Sequence, residues 1–207
     1  MAELTTVADD EAVVHDGTAV RHYTGLTPGT DYDLDGLSFT TLPDLGERLA
    51  TIATVNDVHF GEEACGIVEG LEVGPVFRSE PGEPPYPEVM NRAAIEEMSA
   101  IEPDLVVVKG DLTCRGTDEE YADFRAAYEP AFGDRLVEVR GNHDAYFGGT
   151  YAATPAQRVD LPGVTVAVLD TTDPGKTPGR VTPDQIEWLD ELAASADRPV
   201  LLLGHHH

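Results

Sequence analysis

Residues 136–144 read Leu-Val-Glu-Val-Arg-Gly-Asn-His-Asp, an aliphatic, β-branched run that ends in a glycine and three polar residues. Such a run predicts a short buried strand followed by a turn. Three other aliphatic runs end in the same way: residues 50–56 lead into Asp57-Val58-His59, residues 105–109 into Gly110-Asp111, and residues 200–203 into Gly204-His205. In open α/β sheets the carboxyl ends of the strands bind ligands, so we expect these polar side chains to meet at one edge. Asp57 and His59, two residues apart in an extended chain, are expected to point the same way.

Helical patterns separate these strands. A first helix is expected to start after Pro87 and to bury one face, marked by Met90, Ala94, Met98 and Ile101. Thr117 and Glu120 form a capping box for a second helix, which continues through Tyr121, Phe124 and Tyr128. The third helix begins at Thr182-Pro183-Asp184-Gln185, and Ile186, Leu189 and Leu192 are expected to face inward. With a further strand over residues 164–170, this alternation predicts an α/β domain over residues 50–207.

Residues 1–42 predict a small β appendage. Strand-like stretches occur at residues 12–15, 18–23 and 37–41. Between them, Leu26-Thr27-Pro28-Gly29-Thr30-Asp31-Tyr32 resembles the corner of fibronectin type III domains, in which a tyrosine hydroxyl bonds back to the backbone. A plain Pro-Gly turn between two short strands explains the same residues. A complete sandwich needs about 100 residues, so the appendage is at most a shortened one.

Five prolines between residues 75 and 87 predict a loop without regular structure. An inert surface excursion is the favoured interpretation. The alternative is a lid over a site, with Phe77 and Tyr86 touching a substrate.

The composition excludes several function classes. The 207 residues include 13 basic and 39 acidic side chains, a formal charge of −26. A nucleic-acid groove or an anionic membrane surface requires clustered Lys and Arg, so neither partner is expected. The longest aliphatic run covers residues 105–108 and no apolar segment follows Met1, which predicts a cytoplasmic protein without a membrane span. Cys65 and Cys114 cannot by themselves form a disulfide framework or a zinc site, and we expect free thiols; the alternative is that they approach each other or a metal site.

The strand-end motifs, taken in order, resemble the signature of the calcineurin-like metallophosphoesterases over residues 50–207. That signature runs Asp-x-His, Gly-Asp, Gly-Asn-His-(Asp/Glu) and a strand-end His, and its most specific part here is residues 141–144. Leu169-Asp170-Thr171, Trp188-Leu189 and Pro199-Val200-Leu201 resemble the branch that contains cyclic-nucleotide and glycerophosphodiester phosphodiesterases. The resemblance implies a layered α/β/β/α fold with two sheets and a metal-dependent hydrolase that cleaves a small phosphodiester.

The resemblance also implies a role for each strand-end residue. Asp111 would bridge two divalent cations about 3.5–4 Å apart, because a carboxylate offers two oxygens. Asp57 and His59 would complete the first site, and Asn142 and His205 the second; these donors suit Mn, Fe, Zn or Co. A hydroxide bridging the metals would attack phosphorus. His143 would act as general acid at the leaving oxygen or clamp a phosphoryl oxygen, and Asp144 would hold its ring in the required tautomer.

The sequence departs from the family at its end, because the closing Gly-His-x-His is not found. We favour the hypothesis that these two further ligands lie beyond residue 207, so that the fold is C-terminally incomplete. Alternatively, His206 or His207 substitutes for them, or the final histidines are the remnant of a tag. Two other function classes stay open: a truncated or degenerate relative without catalysis, and a secreted binding module that uses the fibronectin-like appendage.

Overall fold

A computed structural model describes residues 2–17, 19–44, 46–68 and 71–206. The chain divides into two compact units, residues 1–48 and residues 49–207. Within the described residues, the longest helices are too short and too polar to cross a bilayer.

The first unit is entirely β. Strands β1 (Ala2–Val7), β2 (Glu11–Asp16) and β3 (Ala19–Thr24) form an antiparallel sheet in that order, and β4 (Asp31–Leu34) pairs with β5 (Leu37–Thr40) in a hairpin. Strands β1 and β4 were not predicted, and Thr18 of the predicted strand over residues 18–23 lies outside the described residues. The hydroxyl of Tyr32 accepts a hydrogen bond from the backbone N–H of Thr27 at 2.8 Å. This contact ties the turn back to the backbone, as in the corner that the sequence resembles.

The second unit contains eight strands, four α-helices and one 3₁₀ helix (Gly133–Arg135) among its described residues. The strands are β6 (Ile52–Val55), β7 (Ala64–Val68), β8 (Leu71–Arg78), β9 (Leu105–Lys109), β10 (Leu136–Val139), β11 (Ala156–Leu161), β12 (Val164–Leu169) and β13 (Val200–Gly204). The helices are α1 (Tyr86–Ala100), α2 (Asp118–Phe132), α3 (Asn142–Tyr146) and α4 (Pro183–Ser195). Both predicted capping boxes are present, at Thr117 and at Thr182.

Two sheets pack face to face in this unit. The first is parallel, in the order β10-β9-β6, and the second, in the order β11-β12-β13, joins one antiparallel and one parallel pair. Alternate side chains of β9 bury opposite faces of the first sheet. Val107 packs with Val166 and Val168 of the second sheet, whereas Val106 and Val108 belong to a core that α1 and α2 complete. This arrangement confirms the layered α/β/β/α fold.

The predicted loop over residues 75–87 is wrong in two places. Residues 75–78 belong to β8, and α1 already begins at Tyr86. The hairpin of β7 and β8 is a separate two-stranded sheet, so each strand has a free edge at which the missing N–H of Pro75 is tolerated. Tyr86 donates its hydroxyl to the carboxylate of Glu62, which anchors a side chain that the lid alternative left free for a substrate.

The predicted inner faces of two helices are also partly wrong. In α1 Met98 is buried, but Met90 and Ile101 are 66% and 56% exposed, and in α4 Ile186 is 51% exposed. A polar residue takes the inner position instead: Asn91 in α1 and Gln185 in α4, at 5% and 3% exposure. Both side chains donate to two backbone carbonyls, which offsets the cost of burying an amide. The apolar stripe therefore misplaces part of each inner face, although Met98 and Leu192 are buried and Ala94 packs against the core as expected.

Candidate metal centre

The polypeptide after β6 runs alongside the polypeptide after β9. The N–H of His59 donates to the carbonyl of Asp111 at 2.9 Å, and the N–H of Asp57 donates to that of Gly110 at 3.1 Å. Val58 and Phe60 are buried in the core that faces α1 and α2. Their burial fixes the segment, so that Asp57 and His59 lie beside Asp111.

The backbone is strained where these ligands were predicted. The φ angles of Asp57, His59 and Asp111 are 57°, 46° and 50°, in the left-handed region that costs a non-glycine residue about 1–3 kcal/mol. The expectation that Asp57 and His59 share a direction because the chain is extended is therefore wrong, since β6 ends at Val55. Their side chains still approach, with 3.9 Å between His59 Nε2 and Asp57 Oδ1. Strain of this kind concentrates at functional sites.

Asp111 lies between two histidines. Its Oδ2 is 3.5 Å from Nε2 of His59, its Oδ1 is 3.5 Å from Nε2 of His205, and the N–H of His143 donates to Oδ1 at 2.9 Å. The side chain is 5% exposed. Burial raises the pKa of this carboxyl, but hydrogen bonds from His205 and His59 outweigh burial and hold the pKa well below its usual range. Asp111 is therefore an ionised carboxylate with one oxygen directed at each histidine.

The ring of His205 is oriented by the backbone of β9. Nδ1 lies 2.8 Å from the carbonyl of Lys109, which can only accept, so Nδ1 carries the proton. The other nitrogen, Nε2, is left facing Asp111 and lies 3.2 Å from Oδ1 of Asn142. Ligand atoms of Asp57, Asp111 and His205 all lie within 4.8 Å of one another. A backbone contact that fixes the tautomer of a histidine is the usual arrangement behind a metal ligand.

Two glycines of the motifs allow this close approach. A Cβ on Gly110 would lie 2.5 Å from the ring of His205, and a Cβ on Gly141 would lie 2.2 Å from Oδ1 of Asp111. Gly110 also has a φ of 88°, which favours glycine. Any larger residue at either position would push apart the side chains that the motif brings together.

His59 is buried more deeply than its position at a loop suggests. Its side chain is 16% exposed, and its Nδ1 is buried without a hydrogen-bond partner among the described residues; Glu62 Oε2 is 3.9 Å away. Burial lowers the pKa of His59, but hydrogen bonding to Asp111 and further contacts raise it to about 10. A buried nitrogen without a partner is uncommon in folded proteins and fits a group that coordinates a cation.

His143 and Asp144 do not form the expected pair. The Nδ1 of His143 lies 2.9 Å from the carbonyl of Cys114, so the backbone orients this ring. Asp144 is fully buried and accepts hydrogen bonds from the N–H groups of Gly141, Leu112 and Thr113 and from the hydroxyls of Thr113 and Tyr151. The expectation that Asp144 sets the tautomer of His143 is wrong, because its oxygens hold the turns after β9 and β10 together instead.

Cys114 lies beside the histidines. One potential ligand atom from each of His59, Cys114 and His143 lies within 4.8 Å of the others. Hydrogen bonding between the Cys114 side chain and His143 raises the pKa of that histidine to about 8 and lowers the pKa of the thiol. Cys114 and Cys65 are both free, as expected, and Cys65 is exposed.

The terminal histidines have different surroundings. His206 Nδ1 lies 2.8 Å from the hydroxyl of Thr171, and its Nε2 lies 3.1 Å from the carbonyl of Thr177. Both nitrogens are thus engaged with residues 171–177. The alternative in which His207 is a ligand concerns a residue outside the described part of the chain.

Two supporting contacts had little signal in the sequence. Asn91 donates to the carbonyl of Val58 and accepts from Tyr128, which ties α1 and α2 to the segment between Asp57 and His59. A polar residue within the apolar spacing of α1 was the signal available. Glu62, behind His59, carried no signal because acidic residues are common throughout this chain.

Comparison with known proteins identifies the family. The family model described as calcineurin-like phosphoesterase matches residues 50–207. The chain belongs to this family. A probable cyclic nucleotide phosphodiesterase of Rhodococcus erythropolis is 32% identical over 120 residues, which are 52% of this chain and 40% of that protein. A cAMP/cGMP dual specificity phosphodiesterase of Mycobacterium tuberculosis is 34% identical over 120 residues, 52% of this chain and 38% of that protein.

Two further proteins match more of the chain. The 3',5'-cyclic adenosine monophosphate phosphodiesterase CpdA of Escherichia coli K12 is 27% identical over 183 residues, 82% of this chain and 60% of that protein. The crystal structure of a dimetal phosphatase from Danio rerio superimposes with a TM-score of 0.60 at 14% identity, over 77% of this chain and 70% of that one, and so shows the shared fold. The chain spans about two fifths of the length of the first two relatives.

Proposed function

We propose that this protein hydrolyses a small phosphodiester, a cyclic nucleotide or a glycerophosphodiester, with the help of two divalent cations. The observation that carries the proposal is the position of Asp111, whose two oxygens face different histidines at the same distance of 3.5 Å. A carboxylate in this position is suited to bridge two cations, as in two-metal phosphoesterases.

The donor set fits two transition-metal ions. Asp57 and His59 would hold one cation with Asp111, and Asn142 and His205 would hold the other with Asp111. Mixed oxygen and nitrogen donors suit Mn, Fe, Zn or Co. When bound, such cations lower the pKa of water and neutralise charge on a phosphoryl group. The Nε2 of His59, which faces Asp57 and Asp111, and the backbone-fixed ring of His205 support this assignment.

The small number of carboxylates favours an anionic substrate. Asp57 and Asp111 are the two carboxylates proposed as ligands. Their two negative charges neutralise only part of the positive charge of two divalent cations. The remaining positive charge would attract a phosphodiester anion to a protein whose formal charge is −26. Asn142 contributes an amide oxygen at a position where a third carboxylate would reduce that positive charge.

His143 is proposed to serve the leaving group. Its Nδ1–H donates to the carbonyl of Cys114, so Nε2 is the nitrogen left for a substrate. When protonated, the ring can donate a proton from Nε2 to an alkoxide or clamp a phosphoryl oxygen. Asp144 is a positioning residue, because it acts through the turns that carry Asp111 and His143.

Three relatives support the phosphodiester class, since they are described as cyclic nucleotide phosphodiesterases. The test counts cations and measures turnover in one preparation. After dialysis against Mn²⁺ and removal of the excess, we expect two ions per chain. The same sample should hydrolyse the diester bis(p-nitrophenyl) phosphate faster than the monoester p-nitrophenyl phosphate. Cyclic AMP and glycerophosphocholine are then tested as candidate substrates.

The outcomes separate the proposal from its alternative. One ion or none, with no turnover of either nitrophenyl ester, would support a non-catalytic relative. Two ions with faster turnover of the monoester would retain the metal centre and reject the phosphodiester assignment.

A further inference from the structure

His59, Cys114 and His143 form a compact group of metal-ligand atoms that contains no carboxylate. One atom from each residue lies within 4.8 Å of the other two, and all three residues are half-buried. The two imidazole rings meet edge to face with their centroids 4.6 Å apart. In a tetrahedral site the donors lie about 2.0–2.3 Å from the cation, so a contraction of about 1 Å would bring these three into coordination.

A second observation points to a cation at this group. His59 Nδ1 is buried without a hydrogen-bond partner among the described residues, although Glu62 is near. Folded proteins rarely leave a buried ring nitrogen unsatisfied, and one beside a thiol and a second imidazole is well placed to be satisfied by a metal.

We propose that His59, Cys114 and His143 form a binding site for a thiophilic divalent cation such as Zn²⁺, with the sulfur of Cys114 as a donor. Two imidazoles and a thiolate select soft or borderline cations over Mn²⁺ and Mg²⁺, which prefer oxygen. Three protein donors leave a fourth position for water or an exogenous ligand. His59 is shared with the proposed dinuclear centre, whose other donors, Asp57, Asp111, Asn142 and His205, supply mainly oxygen.

Cation binding at this site should inhibit hydrolysis, an expectation that rests on the proposed function. A cation held by the His59–Cys114–His143 group would occupy the ring that we propose protonates the leaving oxygen, and would draw His59 away from Asp111. Thiophilic cations would therefore compete with the catalytic arrangement. Direct binding measurements test the site itself and do not depend on turnover.

The experiment uses Co²⁺ and Cd²⁺, whose complexes with thiolates give sulfur-to-metal charge-transfer absorption. Because the chain has only two cysteines, such a band must come from Cys65 or Cys114. We expect the band in the wild-type protein and in Cys65→Ser, its loss in Cys114→Ser, and at least tenfold weaker Cd²⁺ binding in His143→Ala. A band that persists in Cys114→Ser, or no band in the wild-type protein, would overturn the proposal.

A second measurement needs no substitution and so does not depend on the folding of a variant. The native protein is alkylated with iodoacetamide with and without Cd²⁺, and the modified peptides are identified by mass spectrometry. Cys65 is exposed and serves as the internal control, which should react equally under both conditions. Cys114 should be protected at least tenfold by Cd²⁺, and equal alkylation of Cys114 with and without the cation would reject its role as a donor.

Discussion

The carboxylate of Asp144 accepts two hydrogen bonds from Thr113, one from its N–H at 2.9 Å and one from its hydroxyl at 2.8 Å. The two residues lie 31 positions apart, in the turns that follow β9 and β10. The same carboxylate accepts from Gly141 at 2.8 Å, so one buried side chain fixes both turns. These turns carry Asp111 and Asn142, and their separation depends on Asp144 although it touches neither side chain proposed as a ligand.

Asp144→Asn should therefore destabilise the fold before any metal is added. An asparagine directs an NH₂ group at backbone N–H donors and gives up charge-assisted bonds, which should lower the free energy of unfolding by about 3 kcal/mol. Urea unfolding in the presence of a chelator measures the change. Asp190→Asn, at an exposed position of α4, is the control and should change stability by less than about 0.5 kcal/mol. Equal stabilities for the two variants would show that the buried network contributes nothing.

Asp111→Asn should impair the proposed activity more than Asn142→Ala does. The first change removes a donor from both proposed cations, whereas the second removes a donor from one. We expect kcat/KM to fall by about 1,000-fold or more for Asp111→Asn, equivalent to about 4 kcal/mol, and by clearly less for Asn142→Ala. Steady-state kinetics with Mn²⁺ are measured together with the number of bound ions. Near-wild-type turnover of the Asp111 variant would exclude the bridging role.

Gln185→Glu should destabilise the second unit although the two side chains have the same shape. The amide nitrogen of Gln185 donates to the carbonyls of Pro155 and Asp170 at 2.7 Å each, and a carboxylate would place an acceptor against both. The free energy of unfolding should fall by about 2 kcal/mol, as measured by thermal unfolding at neutral pH. Glu187→Gln makes the reverse change at an exposed position of the same helix and should leave the melting temperature nearly unchanged. A small effect at Gln185 that matches the control would contradict the assigned bonds.

Mn²⁺ should stabilise the wild-type protein against urea. A ligand that binds only the folded state adds about 2.7 kcal/mol when its free concentration is 100 times the dissociation constant. The increment should disappear with excess chelator and should be largely lost in Asp111→Asn, because that variant lacks the shared donor. Asp190→Asn should retain the full increment. A stabilisation that survives in Asp111→Asn would place the cations elsewhere on the protein.

The strand-end motifs were predictable because their signals are local. The run over residues 136–144 and the boxes at Thr117 and Thr182 depend on neighbours a few residues away, and the structure contains each of these elements. The family resemblance and the layered fold followed from the order of the motifs. The chain between β6 and α1 was harder to interpret, since prolines are tolerated at the free edges of a two-stranded hairpin.

The helix faces show where local signals fail. Asn91 and Gln185 occupy inner positions that hydrophobic periodicity assigned to Met90 and Ile186. Each amide is buried because carbonyls at distant positions accept its hydrogens, such as Val58, 33 residues before Asn91. No pattern within a single helix contains that information.

Neighbouring residues are enough to predict the α/β class, the family and the residues that meet at the sheet edge, because periodicity, caps and motif order are local features of the chain. The tertiary structure alone decided which oxygen of Asp111 faces which histidine, that the carbonyl of Cys114 orients His143, and that Asp144 serves the backbone. These contacts join residues 29 to 96 positions apart, as between His143 and Cys114 or between His205 and Lys109. Pairing of β9 with β10 brings His143 to Cys114, and packing of the two sheets brings His205 to Lys109, each within 3 Å. Hydrogen-bond geometry at that range then selects the partners.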